Sequence, residues 1–341
     1  MKSNNQFSHG GDTLAFSKKI GSKQKEIIDL SSNINFLKPK IKIDLNKLDI
    51  SNYPTYEKLS RIIAKKYSVK ADGIELFNGG SSAIFSFFRY LNLKHCTIYS
   101  PAYLEYKKAA QTFGFKVDLI NRFYDIKKEV EKDSLVVFVN PSTPDGDYYE
   151  LDKLFNSWIE KNCTIFIDES FLDFTDKKSM IGKLKNYKKL YILKSMTKIY
   201  SSASIRVGTI ISNSKNIKKL KEKEPLWKIS HFDSIYLENA IKDKNFINKT
   251  IKITNKNKNY TIKHLEKFDF IKKIYKSEAN YLLLELKDYK AKTFQKKLIP
   301  YKIMIRDCSN FDFLNDSFVR VAIKDKKAMK SFIEALKKEF K

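Results

Sequence analysis

The residues with the clearest chemical potential surround Lys198. This lysine ends a run that begins at Ser195, and Arg206 follows it by eight positions. A strand-like apolar stretch precedes the run, and another leads into Asp168, thirty positions before the lysine. A lysine amine can form a Schiff base with an aldehyde, a buried carboxylate can pair with a protonated ring nitrogen, and hydroxyls with an arginine can hold a phosphate. Pyridoxal phosphate needs these three kinds of group, so the spacing predicts a site for that cofactor.

A surface role for Lys198 is the alternative, because the chain contains 66 lysine and arginine residues. The six arginines are a sparser signal, and three of them, Arg206, Arg306 and Arg320, fall inside motif-like segments. A guanidinium offers a flat, bidentate fork for phosphate or carboxylate that an ammonium cannot copy. The context of Lys198 therefore favours the Schiff-base role.

Short apolar strands alternate with amphipathic helices along the first two thirds of the chain. The predicted strands are 74–77, 96–99, 116–119, 135–139, 164–167 and 190–193. Such alternation predicts an α/β fold with a mainly parallel sheet and helices on both of its faces. Ligands of these sheets gather at the carboxyl ends of the strands.

Other candidate residues also follow predicted strands. Gly80 and Ser81 open a predicted helix, where free N–H groups and the helix dipole could hold a phosphate, although a plain tight turn explains the glycines equally well. Tyr103 could stack on a cofactor ring or pack in the core. The turn at 140–146 is rich in proline and can present Thr143 to a ligand.

Length and composition are typical of a globular enzyme. At 341 residues and 42% hydrophobic content, the chain can bury a full core and divide into a large and a small domain. Its net charge of +27 is spread along the chain, with no zinc-ligand spacing and no ribonucleoprotein signature. We therefore expect no specific nucleic-acid partner and no metal, and some steering of phosphorylated substrates.

Cysteine usage and apolar stretches predict a cytoplasmic protein. Cys96, Cys163 and Cys308 are far apart, which favours reduced thiols over a disulfide framework. The segment Met1–Gln6 lacks the apolar core of a signal peptide. No apolar stretch approaches the roughly 20 residues needed to span a bilayer, so we expect no membrane partner.

Several segments together resemble a known family. The chain is similar, nearly end to end, to the fold-type I pyridoxal-phosphate enzymes of the class I/II aminotransferase superfamily. Within it, the chain most resembles the L-threonine-O-3-phosphate decarboxylases, to which the histidinol-phosphate aminotransferases are related. His9-Gly10-Gly11 and the isoleucine-arginine-x-cysteine-x-asparagine run at 305–310 favour the decarboxylases. The matching segments are 9–12, 30–35, 303–310 and 318–323.

The resemblance implies a role for each matched residue. Lys198 would form the Schiff base, Asp168 would pair with the pyridinium nitrogen, and Tyr103 would stack on the ring. The implied holders of the cofactor phosphate are Gly80, Ser81, Ser195, Arg206 and, from the other subunit of a homodimer, Tyr53. The implied substrate groups are Arg320 for the carboxylate and His9, Asn33 and Arg306 for the phosphoryl group and its orientation.

Two positions depart from the family pattern. Thr143 stands where the family carries the asparagine that bonds the cofactor's ring hydroxyl, and it can donate one hydrogen bond without the amide's reach. Phe171 stands where aminotransferases often have tyrosine, although the decarboxylases also tend to have phenylalanine there. Both changes remove polar contacts to the same ring oxygen.

The resemblance also implies an architecture. We expect a large cofactor-binding domain at 45–230 with a seven-stranded, mostly parallel sheet. Residues 1–44 should pack with a smaller α/β domain at 231–341. The polar stretch Asn255–Asn259 is predicted to continue a helix whose charges are solvated.

The predicted function is pyridoxal-phosphate-dependent decarboxylation of O-phospho-L-threonine or O-phospho-L-serine to the amino alcohol phosphate. These substrates differ by one methyl group, worth only about 1–3 kcal/mol in discrimination, so both stay open. An aminotransferase of the histidinol-phosphate type is the alternative within the family. A catalytically altered binding protein is the alternative outside it, because fold does not determine function and Thr143 replaces the usual asparagine.

Overall fold

The structure is a computed structural model that describes residues 9–340. The segment Met1–Gln6, on which the prediction of no signal peptide rests, lies outside the described residues. Within them, the strands in chain order are β1 (Ile28–Asp29), β2 (Ile74–Phe77), β3 (His95–Ser100), β4 (Lys116–Asn121), β5 (Leu135–Val139), β6 (Thr164–Asp168), β7 (Leu190–Ser195), β8 (Gly208–Ile211), β9 (Ile271–Ile274), β10 (Tyr281–Leu286), β11 (Ile303–Met304), β12 (Arg306–Asp307) and β13 (Phe318–Ala322).

Helices follow most of these strands. They are α1 (Thr13–Lys19), α2 (Glu57–Tyr67), α3 (Gly79–Tyr90), α4 (Glu105–Thr112), α5 (Asp152–Glu160), α6 (Met196–Ile199), α7 (Ser214–Lys221), α8 (His231–Lys242), α9 (Phe246–Leu265), α10 (Ala291–Leu298) and α11 (Lys326–Glu339). None of the helices between residues 9 and 340 is long and apolar enough to cross a membrane. The location of the protein in the cell stays a prediction.

A seven-stranded sheet forms the centre of the molecule, in the order β2-β8-β7-β6-β5-β3-β4. All neighbours are parallel except β8, which runs antiparallel to both β2 and β7. Alternate residues of the central strands belong to two separate hydrophobic clusters, one on each face: Val136 and Phe138 to the first, Val137 and Val139 to the second. Both faces are therefore covered, which explains the unbroken apolar run of β5. The predicted α/β fold is confirmed.

The C-terminal part of the chain builds a second, antiparallel sheet in the order β12-β13-β10-β9. Beside it, β1 pairs in parallel with β11, so residues near the beginning of the chain join residues near its end. The predicted division at residues 44 and 230 stays a prediction.

Helix α9 corrects one expectation about the polar stretch Asn255–Asn259. The stretch does continue a helix, and Lys256 and Asn259 are exposed. Asn257 and Lys258 are each only 5% exposed, so the expectation of solvated charges is wrong for Lys258. The burial of these two side chains is tolerated because each donates a hydrogen bond to a backbone carbonyl of a neighbouring segment.

The strand register places the site. Val139 of β5 pairs with Asp168 of β6, which pairs in turn with Leu193 of β7. Three parallel strands therefore end at nearly the same level, and the segments that follow them meet above this edge.

Candidate active site

A cavity of about 400 Å³ lies at the carboxyl ends of the central strands. It brings together every residue that the sequence analysis assigned to cofactor or substrate, apart from Tyr53. Those lining residues are His9, Asn33, Gly80, Ser81, Tyr103, Thr143, Asp168, Ser195, Lys198, Arg206, Arg306 and Arg320. Residues up to 311 positions apart thus share one site, and their individual roles stay predictions.

Lys198 reaches the cavity from the short helix α6, which begins directly after β7. Its amine lies 5.1 Å from the centre of the Phe171 ring. Burial lowers the pKa of Lys198; Asp168 opposes this shift, whereas the charges of Arg206 and Arg320 add to it. The environment therefore favours the neutral amine, which is the form that attacks an aldehyde.

Asp168 is the last residue of β6 and is 5% exposed. The Tyr106 hydroxyl donates to its Oδ2 at 2.7 Å. The backbone N–H and the hydroxyl of Ser170 donate to its Oδ1 at 2.8 and 2.5 Å. These three hydrogen bonds hold the orientation of the carboxylate, as a partner for a protonated ring nitrogen requires.

Sequence reasoning missed Tyr106 and Ser170. Tyr106 is one of nineteen tyrosines and acts on a carboxylate 62 positions away, so no local pattern identifies it. Ser170 had a usable signal, because a serine two residues after a strand-end aspartate can bond back to that carboxylate.

A backbone cradle lies at the start of α3. Gly79 has a φ of +80°, and a Cβ there would lie 2.9 Å from Cζ of Arg206. A Cβ on Gly208 would come within 2.7 Å of the Gly79 carbonyl carbon, and one on Gly80 would touch Ser195. The glycines thus let the first turn of α3 approach Ser195 and Arg206 closely. Helix N–H groups, a hydroxyl and a guanidinium facing one space form a site suited to a phosphate.

Tyr103 lies beside this cradle. Its hydroxyl is 3.1 Å from the Ser81 hydroxyl, and its ring centre is 5.2 Å from that of His9. Burial raises the pKa of Tyr103, so the phenol stays protonated at neutral pH. His9 also lies 3.0 Å from a carboxylate oxygen of Glu105.

Two arginines form the opposite side of the cavity. Arg306 and Arg320 are directly paired across β12 and β13, so their side chains lie next to each other. Arg320 donates to the Thr143 hydroxyl and to the carbonyl of Ser31, both at 3.1 Å. Arg306 donates to Asn310 at 2.7 Å. Burial lowers the pKa of both arginines, yet a guanidinium remains charged in proteins.

Tyr53 lies outside the cavity of its own chain. It is 73% exposed and stacks on Trp227, with ring centres 4.0 Å apart. This position does not test its expected contribution to another subunit's site, which stays a prediction.

The residues present fit pyridoxal phosphate. Three buried polar atoms of cavity-lining residues have no hydrogen-bond partner within residues 9–340: Nε of Arg320, Oδ1 of Asn33 and Oγ1 of Thr197. Buried polar atoms normally have partners, so this cavity is built to receive a polar ligand. The lysine, the carboxylate at the end of β6 and the glycine cradle supply groups for the aldehyde, the ring nitrogen and the phosphate.

Comparison with known proteins decides the family. The family model described as aminotransferase class I and II matches residues 25–336. The chain belongs to this family. Class I/II aminotransferase enzymes use pyridoxal 5′-phosphate, so the predicted cofactor is confirmed.

Relatives of this class I/II chain carry different names. "Putative threonine-phosphate decarboxylase" of Caldanaerobacter subterraneus is 29% identical, over 90% of this chain and 88% of its own length. The adenosylcobalamin biosynthesis bifunctional protein CobDQ of Leptospira interrogans is 29% identical over 97% of this chain, which spans 41% of that relative. The crystal structure of the histidinol-phosphate aminotransferase from Clostridium acetobutylicum is 33% identical, with a TM-score of 0.80 over 91% of this chain and 98% of that one.

Proposed function

We propose that this class I/II enzyme decarboxylates O-phospho-L-threonine or O-phospho-L-serine to the corresponding amino alcohol phosphate. The observation that carries the proposal is the adjacent pair Arg306 and Arg320 in the wall of one cavity. Two guanidinium groups suit a substrate with two anionic groups, a carboxylate and a phosphate. The name of the Caldanaerobacter relative supports the same reaction.

The side chains divide the work between binding and proton transfer. Bound pyridoxal phosphate supplies an electron sink for the bonds at the substrate's α carbon. Arg320, oriented by Thr143 and Ser31, holds the substrate carboxylate and thereby decides which of those bonds is aligned for cleavage. Lys198 would take up the proton that the substrate ammonium releases on binding and would donate it to the α carbon in place of the departing carbon dioxide. Its lowered pKa makes the protonated amine a stronger acid for that step.

An aminotransferase is the second candidate, and one observation favours it. The Clostridium acetobutylicum histidinol-phosphate aminotransferase is 33% identical and aligns along nearly its whole length. The same cavity would serve this reaction if Arg306 and Arg320 held the phosphate of histidinol phosphate and, in the second half of the reaction, the carboxylates of 2-oxoglutarate. Lys198 would then remove the α proton.

Product analysis under single-turnover conditions distinguishes the two reactions. Purified holoenzyme is mixed with O-phosphoserine, O-phosphothreonine, or histidinol phosphate plus 2-oxoglutarate, and carbon dioxide and glutamate are measured in parallel. Carbon dioxide without glutamate supports the decarboxylase and ranks the two phosphoamino acids. Glutamate without carbon dioxide moves the protein to the aminotransferases.

Lys198→Ala is the control for the central assignment. We expect the variant to lose both the Schiff-base absorbance and all turnover, while borohydride bleaches that absorbance in the native protein. A coloured and active Lys198→Ala protein would refute the role of this lysine. A native protein that binds no cofactor would favour the non-enzymatic binding protein instead.

We also propose that the enzyme is a homodimer in which Tyr53 enters the phosphate site of the other subunit. Tyr53, Leu226 and Trp227 form an exposed apolar surface, with 73%, 73% and 51% of each residue accessible. Mixing inactive Lys198→Ala and Tyr53→Ala proteins, after dissociation and reassembly, should restore some activity by creating one complete site per mixed dimer. A monomer in sedimentation, or no recovery on mixing, would contradict the shared site.

A further inference from the structure

Helix α9 carries a lysine that is buried where the sequence predicts solvation. Lys258 is 5% exposed, whereas Lys256 on the same helix is exposed. Burial lowers the pKa of Lys258 to about 8, with the charge of Glu278 opposing this shift. Burying an ammonium is costly unless its protons find acceptors. The acceptors of Lys258 therefore indicate its role.

Those acceptors lie in the loop of residues 275–280, which joins β9 to β10. Nζ of Lys258 donates to the carbonyl of Ser277 at 2.8 Å and to that of Ala279 at 3.1 Å. Two bonds from one ammonium clamp three consecutive residues of the loop. Neither Ser277 nor Ala279 is among the residues assigned to the cofactor or to the substrate.

Loop 275–280 and the first residue of β10 hold both ends of the turn that carries Thr143. The backbone N–H of Glu278 donates to the carbonyl of Gly146 at 2.8 Å. The Tyr281 hydroxyl donates to the carbonyl of Ser142 at 2.7 Å. Thr143 lies between these two anchored carbonyls and accepts from the substrate-side arginine, Arg320.

The same loop also holds Asn33. The Asn280 side chain donates to the carbonyl of Asn33 at 2.9 Å. Helix α9 reaches this segment by a second path, because Asn257 donates to the carbonyl of Lys324 at 2.9 Å. The Lys324 amine in turn donates to the carbonyls on either side of Asn33, each at 2.8 Å. Helix α9 thus supports, through Lys324, the backbone on both sides of Asn33, whose Oδ1 has no hydrogen-bond partner in the part of the chain that the structure describes.

The contacts of Lys258 lead to one half of the cavity. Asn33 and Arg320 are assigned to the substrate, and the hydroxyl of Thr143, a residue assigned to the cofactor, accepts a hydrogen bond from Arg320. The cofactor groups Ser81, Asp168, Ser195 and Lys198 lie elsewhere, on α3, β6, β7 and α6. We propose that Lys258 is a positioning residue for the substrate, which acts through loop 275–280 on Asn33 and on the Thr143 turn. The inference rests on the proposed function for the identity of that substrate.

Steady-state kinetics of the Lys258→Met holoenzyme test this role. We expect KM for the phosphorylated amino acid to rise about tenfold, since two carbonyls lose their donor and the loop relaxes. Pyridoxal phosphate affinity and the Schiff-base absorbance should stay within about twofold of native. Lys258→Arg, which can donate to both carbonyls, should recover most of the loss. Lys256→Met, on the exposed face of the same helix, is the matched control and should behave as native.

Hydrogen exchange gives a readout that does not depend on substrate identity. In Lys258→Met, amides of loop 275–280 and of residues 31–35 should exchange faster, while those at the start of α3 keep native rates. If this pattern appears but the native enzyme turns over no phosphorylated amino acid, the positioning role stands and the proposed function fails. If the native enzyme is active and Lys258→Met has native KM and native exchange, the positioning role fails and the function stands.

A general loss of stability would also overturn the inference. In that case cofactor affinity and substrate KM would worsen together, and the start of α3 would exchange faster as well. Should Lys258→Met not fold, Lys258→Gln retains one donor and permits the same comparison. Its KM should rise by about threefold with an unchanged cofactor spectrum, and a native KM in that variant would reject the role.

Discussion

At the scale of single residues, the environment of Lys198 leads to a pH prediction. Burial and two nearby arginines lower its pKa, so the neutral amine predominates at a lower pH than for a solvated lysine. Cofactor-free protein should therefore regain its Schiff base with a rate that rises with pH and reaches its plateau below the pKa of free lysine. Stopped-flow absorbance after addition of pyridoxal phosphate measures this profile.

Arg320→Met provides the comparison, because removing that cation should raise the Lys198 pKa and move the profile to higher pH. Lys256→Met, which removes a charge from an exposed position on α9, should leave the profile where it is. Identical profiles for all three proteins would show that Arg320 does not influence the amine.

Tyr106 leads to a second residue-scale prediction. Tyr106→Phe removes the hydroxyl that donates to Asp168 at 2.7 Å while keeping the buried ring. A hydrogen bond to a charged group is worth about 1.5–3 kcal/mol, so cofactor affinity should fall by at least about tenfold. Equilibrium titration with pyridoxal phosphate measures the change. Ser170→Ala, which removes a different donor to the same carboxylate, should act in the same direction.

The roles of some of these residues could be predicted from the sequence, whereas the roles of others could not. Lys198 and Arg206 lie within one short segment, so their spacing alone indicates a shared site. Tyr106 and Lys258 act through contacts 62 and about 20 positions away, which depend on how helices pack. Lysine is almost never fully buried without partners, so a lysine-rich stretch predicts solvated side chains. Lys258 is buried because it has two carbonyl partners, which the sequence does not reveal.

At the scale of elements, the apolar runs of β5, β6 and β7 predicted their strands because burial on both faces leaves an unmistakable pattern. The strands β1, β11 and β12 have two residues each, too few to show any period. Helix α3 begins at Gly79, one residue before Gly80, which was predicted to open it. Glycines are poor helix formers, so only the tertiary contacts of the cradle explain this early start.

The approach of β8 to α3 leads to an element-scale prediction. In Gly208→Ala, the new methyl group would lie 2.7 to 2.9 Å from backbone atoms of Gly79 and Gly80, which cannot rotate away. The start of α3 must shift and move the N–H groups of the cradle, so affinity for pyridoxal phosphate should fall by about tenfold or more. Gly182→Ala is the matched control, because nothing lies within 4 Å of a Cβ there. Equal affinities in the two variants would contradict the cradle.

At the scale of the whole molecule, the net charge of +27 predicts a salt effect on the capture of anionic substrate. The Debye length falls to about 10 Å at 0.1 M salt, so kcat/KM for a phosphorylated amino acid should decrease as salt is added. The value of kcat should change little, because the bound state is shielded from the solvent ions. A kcat/KM that does not respond to salt would show that the positive charge plays no part in capture.

The parallel pairing of β1 with β11 has a consequence for the order in which the chain is made. His9 and Asn33 leave the ribosome before Arg306 and Arg320 do. A nascent chain that has emerged as far as β8 already contains every group assigned to the cofactor within its own chain, but its opening segment still lacks the strand on which it will settle. During synthesis, the residues assigned to the cofactor, up to Arg206, are thus made before the substrate arginines Arg306 and Arg320. A ribosome stalled before residue 300 would hold a chain that contains the cofactor groups but lacks Arg306 and Arg320.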